Sequence, residues 1–110
     1  MEYTKKVTSG AGFSVSLPQF EECPRMNDFY GYAREIITEN FRRAREETKR
    51  GFFMADFSVT DGGDGYVTVT VRQRFRFGGK CEAEKKVSHT WYGGEIAPPR
   101  RKRGALRPRG

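Results

Sequence analysis

Between residues 66 and 77 the chain reads YVTVTVRQRFRF, and few arrangements satisfy such a pattern. Val67, Val69, Val71, Phe75 and Phe77 occupy odd positions, while Tyr66, Thr68, Thr70, Arg72, Arg74 and Arg76 occupy even ones. Successive side chains of a strand project to opposite faces, so the pattern predicts a strand with one dry face and one wet face. Gly78-Gly79-Lys80 follows. A three-residue hairpin loop, with glycine supplying a positive φ, sets Phe77 opposite Cys81. That register also sets Arg76 against Glu82, Arg74 against Glu84, Phe75 against Ala83, Val71 against Val87, Thr70 against Ser88 and Val67 against Trp91. Opposite charges then meet on the wet face and apolar pairs on the dry one, whereas a two-residue loop mixes the faces.

The preceding segment behaves alike. Phe53, Ala55, Phe57 and Val59 alternate with Met54, Asp56, Ser58 and Thr60, and Asp61-Gly62-Gly63-Asp64-Gly65 is a turn cluster. Pairing Thr60 with Tyr66 places Val59 opposite Val67, Phe57 opposite Val69 and Ala55 opposite Val71, which completes an antiparallel meander with one apolar face. Upstream, Phe13, Val15 and Leu17 alternate with serines in a short strand that Pro18 limits to an edge or an end. Residues 1 to 11 are polar and read as frayed or edge-like.

From Met26 to Arg50 the period lengthens to that of a helix. Phe29, Ala33, Ile36, Ile37, Phe41 and Ala44 form a stripe, with Arg34, Glu35, Glu39, Arg42, Arg43, Arg45, Glu46 and Glu47 on the remaining surface. Pro24 or Asn27 opens the helix, Asp28 favours its first turn, and Gly51 stops it. Glu39 with Arg43 and Glu46 with Arg50 make pairs worth about 0.2–0.5 kcal/mol each. The stripe needs a partner, and the dry face of the meander offers one. The expected fold is α+β, with one long helix packed on an antiparallel sheet of three meander strands plus a short N-terminal strand.

Charge divides the chain. All 14 acidic residues and 15 of the 21 Lys/Arg precede Pro98, so the body is nearly neutral and the net +7 resides mainly in residues 98–110. Residues 1–97 read as a single domain, and 98–110, where Pro98-Pro99 precedes a basic run without apolar residues to pack, as a disordered tail. Arg100, Arg101, Lys102, Arg103, Arg107 and Arg109 are the candidate anion or nucleic-acid contacts. Neither a membrane span nor a signal peptide is expected, and the chain reads as cytoplasmic, which favours free thiols for Cys23 and Cys81.

Chemistry-bearing residues are sparse. His89 is the only histidine and lies on the dry side of a strand without a nucleophile or carboxylate in register, so it reads as structural. Asp61 and Asp64 lack the spacing of a calcium loop, and their glycines do not make a phosphate cradle. Cys81 beside Lys80 lacks a base and reads as inert. Arg72, Arg74 and Arg76 face away from Phe75 and Phe77, which opposes nucleic-acid stacking on the sheet. With one histidine and no CxxC, a Cys/His zinc site would have to recruit carboxylates or a second chain, and no metal, cofactor or catalytic residue is expected.

Leu17-Pro18-Gln19-Phe20, then Met26-Asn27-Asp28-Phe29-Tyr30 opening a long helix, a Gly-closed hairpin, and Ser88-His89-Thr90-Trp91 together resemble the bacterial domain family allied to RsiV-type lysozyme-sensing anti-sigma factors. The similarity covers residues 13 to 97. It implies an extracytoplasmic type of domain in the larger relatives and a tendency toward protein or ligand recognition. No membrane anchor, sigma-binding segment or deacetylase domain is read here, and Lys80-Cys81 stands where longer relatives often have Ala-His. No lysozyme-contact residue carries over. The expected function is a non-catalytic interaction or ligand-recognition module for a protein or small ligand; the alternative is a nucleic-acid-associated protein working through its basic tail. No readable pattern encodes the partner or the oligomeric state.

Overall fold

The structure, a computed structural model, describes residues 2–97. β1 (Thr4–Gly10) and β2 (Phe13–Gln19) form a hairpin, α1 (Pro24–Thr48) crosses over, β3 (Phe52–Asp61), β4 (Tyr66–Phe77) and β5 (Lys80–Tyr92) form the meander, and β6 (Glu95–Ile96) turns back. All six strands share one sheet in sequence order. Every pairing is antiparallel except β2 with β3, which is parallel because α1 returns the chain to the end of the sheet from which β2 started. The class is α+β, but the expected sheet of three meander strands plus one is corrected to six strands with one parallel pair. The polar N-terminal segment pairs along its length with β2, and Gly93-Gly94 adds a two-residue edge.

β2 is therefore an interior strand despite Pro18. Its ladder with β3 runs only from Phe13–Phe53 to Val15–Ala55. The strands part before Pro18, whose missing N–H then has no second neighbour to serve.

The β4–β5 loop is shorter than expected. Gly78 and Gly79, at φ 64 and 84, make a two-residue turn with Phe77 opposite Lys80. Consecutive positive-φ residues match the twist of the flanking strands. A bulge between Phe75 and Arg76 absorbs Glu82, so Arg76 faces Cys81, and from Phe75–Ala83 to Val67–Trp91 the expected pairs hold. The β3–β4 register is displaced by two residues, with Val59 opposite Val69 and Phe57 opposite Val71. A shift of two preserves the faces, which is why the alternation did not distinguish the two registers.

α1 starts at Pro24, two residues earlier than the periodicity suggested, so Asp28 lies beyond the first turn. It ends where Lys49 turns left-handed at φ 60 and donates its N–H to Arg45 O at 2.8 Å. Met26, Tyr30, Ile37 and Phe41 form its buried face, while Ile36, placed in the stripe by sequence, is 41% exposed. The helix also sits further toward the N-terminal hairpin than expected: it packs chiefly over β2 and reaches the meander through Phe41 on Phe53 and through Phe29 and Tyr30 on Trp91. Phe13, Val15, Leu17 and Phe20 close the core against Ala55, Val67, Val69, Val71 and Trp91. Each of the Val, Leu and Phe side chains contributes roughly 1.5–3 kcal/mol by leaving water.

Surface pairing on α1 differs in part. Arg43 approaches Glu39 at 3.6 Å, but Glu46 is taken by Arg42 at 2.7 Å. Arg50 lies past the helix end and stacks over the Phe77 ring at 4.8 Å instead. Among the described residues no helix is long and apolar enough to cross a membrane.

Candidate functional site

The alternation that makes β5 a strand places His89 and Trp91 on the dry face near its end, opposite Val69 and Val67. The first turns of α1 bring Phe29 and Tyr30 against them. Trp91 Nε1–H donates to Tyr30 Oη at 3.0 Å, and the two residues are 2% and 1% exposed. Phe29 meets Trp91 edge to face at 5.2 Å between centroids and His89 at 5.0 Å. Burial pushes the Tyr30 hydroxyl up to about 12, against the opposing pull of the Trp91 hydrogen bond. This aromatic cluster fixes the distance between α1 and the β5 end.

Beside the cluster, helix and sheet diverge. The gap is an open cavity of about 560 Å³ with Phe29 and Trp91 at its base, Tyr32 and Ile96 as its walls, and Arg25, Asp28 and Glu95 around the rim. Arg25 and Glu95 pair across it at 3.3 Å. Tyr32 is 67% exposed and Ile96 49% exposed, and Ile36 continues the apolar surface one turn along the helix. The site thus combines a shallow, open apolar depression with a few charges at its margin.

The wet face carries a second polar cluster. Asp56 accepts from Arg72 Nε at 3.3 Å and from Arg74 Nη2 at 2.9 Å, and Glu84 lies 3.9 Å from both Arg72 and Lys86. The Asp56 carboxylate, by hydrogen bond and by charge, holds the Arg72 guanidinium above its ordinary value. Thr68 with Thr90 at 3.0 Å and Thr70 with Ser88 at 2.8 Å continue the network. Arg74 and Glu84 share this face as expected, yet Arg74 pairs with Asp56 on the other neighbour, and Arg76 bonds Gly79 O at 3.0 Å rather than Glu82. A cavity of only about 160 Å³ opens here, among Asp56, Thr70, Arg72 and Lys86. Apart from the buried Arg74 Nε, these groups pair with one another and act as a cross-strand brace.

The remaining candidates are local. In the β3–β4 turn, Asp61 Oδ1 accepts the Gly63 N–H and Asp64 Oδ1 the Tyr66 N–H. Cys23 and Cys81 are both free. No group of three or more metal-binding side chains occurs among the described residues. Arg100, Arg101, Lys102, Arg103, Arg107 and Arg109 lie outside the described residues. Sequence reasoning missed Tyr30, Tyr32 and Ile96. Tyr32 offered a signal, being a large ring on the polar side of the helical pattern, whereas Ile96 gave none until the Gly93-Gly94 turn placed it. Comparison of the chain with protein-family models, with curated proteins and with solved structures returns no match.

Proposed function

We propose that this domain is a non-catalytic recognition module that takes an apolar ligand or the apolar side chain of a partner protein in the mouth between α1 and the β5–β6 edge. The observation that supports this reading is the open cavity of about 560 Å³ with Phe29, Tyr32, Trp91 and Ile96 around it, together with the exposure of Tyr32 and Ile96. Surfaces of that composition are costly to leave in water unless something occupies them. The packing of His89 against Phe29 gives the sole histidine a structural task, in keeping with a binding role. Kinship with the RsiV-type sensors is proposed on the quoted motifs and points the same way. The chemistry of the mouth does not depend on cellular compartment, and a cytoplasmic setting is proposed from sequence alone.

A fragment screen read by two-dimensional NMR tests the proposal. Apolar fragments should bind wild type, and Tyr32→Glu or Ile96→Glu should weaken them by roughly tenfold or more while leaving the fold intact, because each places a charge on an apolar wall. Fragments that bind both variants as well as wild type would overturn the reading. The basic tail is proposed as a separate phosphate-backbone contact on the strength of its six clustered cations. Deleting residues 98–110 should abolish DNA and RNA binding at low salt; affinity retained without them would contradict it.

A further inference from the structure

The outer edge of β5 is open, and its backbone polarity can be read from one bond. Ala97 donates its N–H to Thr90 O at 2.8 Å, so Thr90 turns its peptide groups toward the β6 side. Residues along a strand alternate in this respect, so Ser88, Lys86 and Glu84 turn their N–H and C=O outward as well. The side chains agree. The close hydroxyl contacts Thr68–Thr90 and Thr70–Ser88 mark these as the non-hydrogen-bonded pairs of the β4–β5 ladder, in which side chains approach most closely. β6 pairs only with Trp91 and Tyr92. Among the described residues, β5 from Ala83 to His89 therefore has no outer strand.

From this edge we infer that β5 pairs antiparallel with β5 of a second copy of this chain, about a two-fold axis at Lys85. The residues select that register. Glu84 falls opposite Lys86 of the other copy, and Lys86 opposite its Glu84, so two opposite-charge pairs form on the wet face. On the dry face Ala83 falls opposite Val87, again twice. Because Glu84 and Lys86 both present outward backbone groups, each Glu84–Lys86 pair exchanges two N–H···O bonds. Sliding by two residues one way sets Lys86 against Lys86 and leaves Glu84 opposite Ser88; sliding the other way sets Glu84 against Glu84 and moves Lys86 opposite Glu82, which sits in the bulge where the alternation breaks. Charges on an edge normally guard against indiscriminate pairing, and here they favour the alignment centred on Lys85. The two Lys85 side chains meet across the axis on the dry face, the one unfavourable contact. The two sheets become continuous, with both helices on the same side. With so small an interface the dimer is weak.

Sedimentation velocity of the full chain, from roughly 5 µM to 1 mM, tests this, with circular dichroism confirming the fold of each variant. Wild type should move from monomer to dimer across that range. Glu84→Lys and Lys86→Glu should each weaken association by about tenfold or more, and the double reversal should restore it to within about threefold. Lys85→Thr should tighten it. Lys86→Pro removes an outward N–H that β4 does not use, so it should abolish the dimer without unfolding the monomer. A chain that stays monomeric at the highest concentration, or a dimer indifferent to the charge reversals, overturns the inference.

Discussion

Trp91 on β5 and Tyr30 on α1, 61 residues apart in sequence, meet in a buried 3.0 Å hydrogen bond from the indole Nε1–H to the phenol oxygen. It ties the last meander strand to the start of the helix across the dry face. Tyr30→Phe removes the acceptor and strands a buried indole N–H, so the variant should lose about 1–3 kcal/mol in urea unfolding. Trp91→Phe removes the donor and leaves a gap beside Phe29 and should cost at least as much. Wild-type stability in either variant would contradict a structural role for the bond.

Tyr30 also makes stability depend on alkaline pH. Its hydroxyl is pushed from the ordinary 10 up to about 12, chiefly by burial. Between those values the unfolded chain releases the proton while the folded chain keeps it. The Tyr30 contribution is therefore complete below pH 10 and is lost as pH rises toward 12. Phenolate absorbance of wild type minus that of Tyr30→Phe should show one tyrosine titrating near 12 or only on unfolding. A difference curve centred at 10 would contradict the burial.

Two glycines separate steric clash from backbone strain. Gly51 and Gly63 have nearly the same positive φ, 83 and 81, but a Cβ on Gly51 would run into the Phe75 ring, whereas one on Gly63 meets nothing within 4 Å. Gly63→Ala should cost about 1–2 kcal/mol, the left-handed strain alone. Gly51→Ala should cost more, because Phe75 is held against Phe53 at 4.7 Å between ring centroids. Equal losses in thermal unfolding would mean that the α1–β3 connection yields freely.

On the wet face, Asp56 serves two arginines, and Arg74 already has a buried Nε without a hydrogen-bond partner. Asp56→Ala should destabilise by about 1–3 kcal/mol by leaving half-buried guanidinium groups unpaired. Arg72→Ala, which leaves Asp56 its contact with Arg74, should cost less. Urea midpoints of the two variants in the reverse order would contradict this assignment.

How much was legible in the sequence follows from what each pattern can carry. Alternation in residues 66–77 identified the faces of β4 and β5, and the pairs from Phe75–Ala83 to Val67–Trp91 followed, because parity is a local property. It could not separate registers two residues apart, and Gly78-Gly79 with a bulge reaches the same parity as a three-residue loop. The parallel β2–β3 pairing and the seat of α1 on β2 depend on contacts between segments with no shared periodicity. The mouth is composed of residues from both ends of the chain, so only Tyr32, out of place on a polar helical face, hinted at it.

The chain has one tryptophan, and its indole lies at the base of the mouth. Its single Nε1–H resonance, followed while the tightest apolar fragment is titrated in, tests the recognition account most directly. The account predicts that this resonance, with the amides of Tyr32 and Ile96, shifts further than any amide of the wet-face brace at Asp56, Thr70 and Arg72. A fragment that saturates the protein while moving the wet-face amides and leaving the indole in place would contradict it.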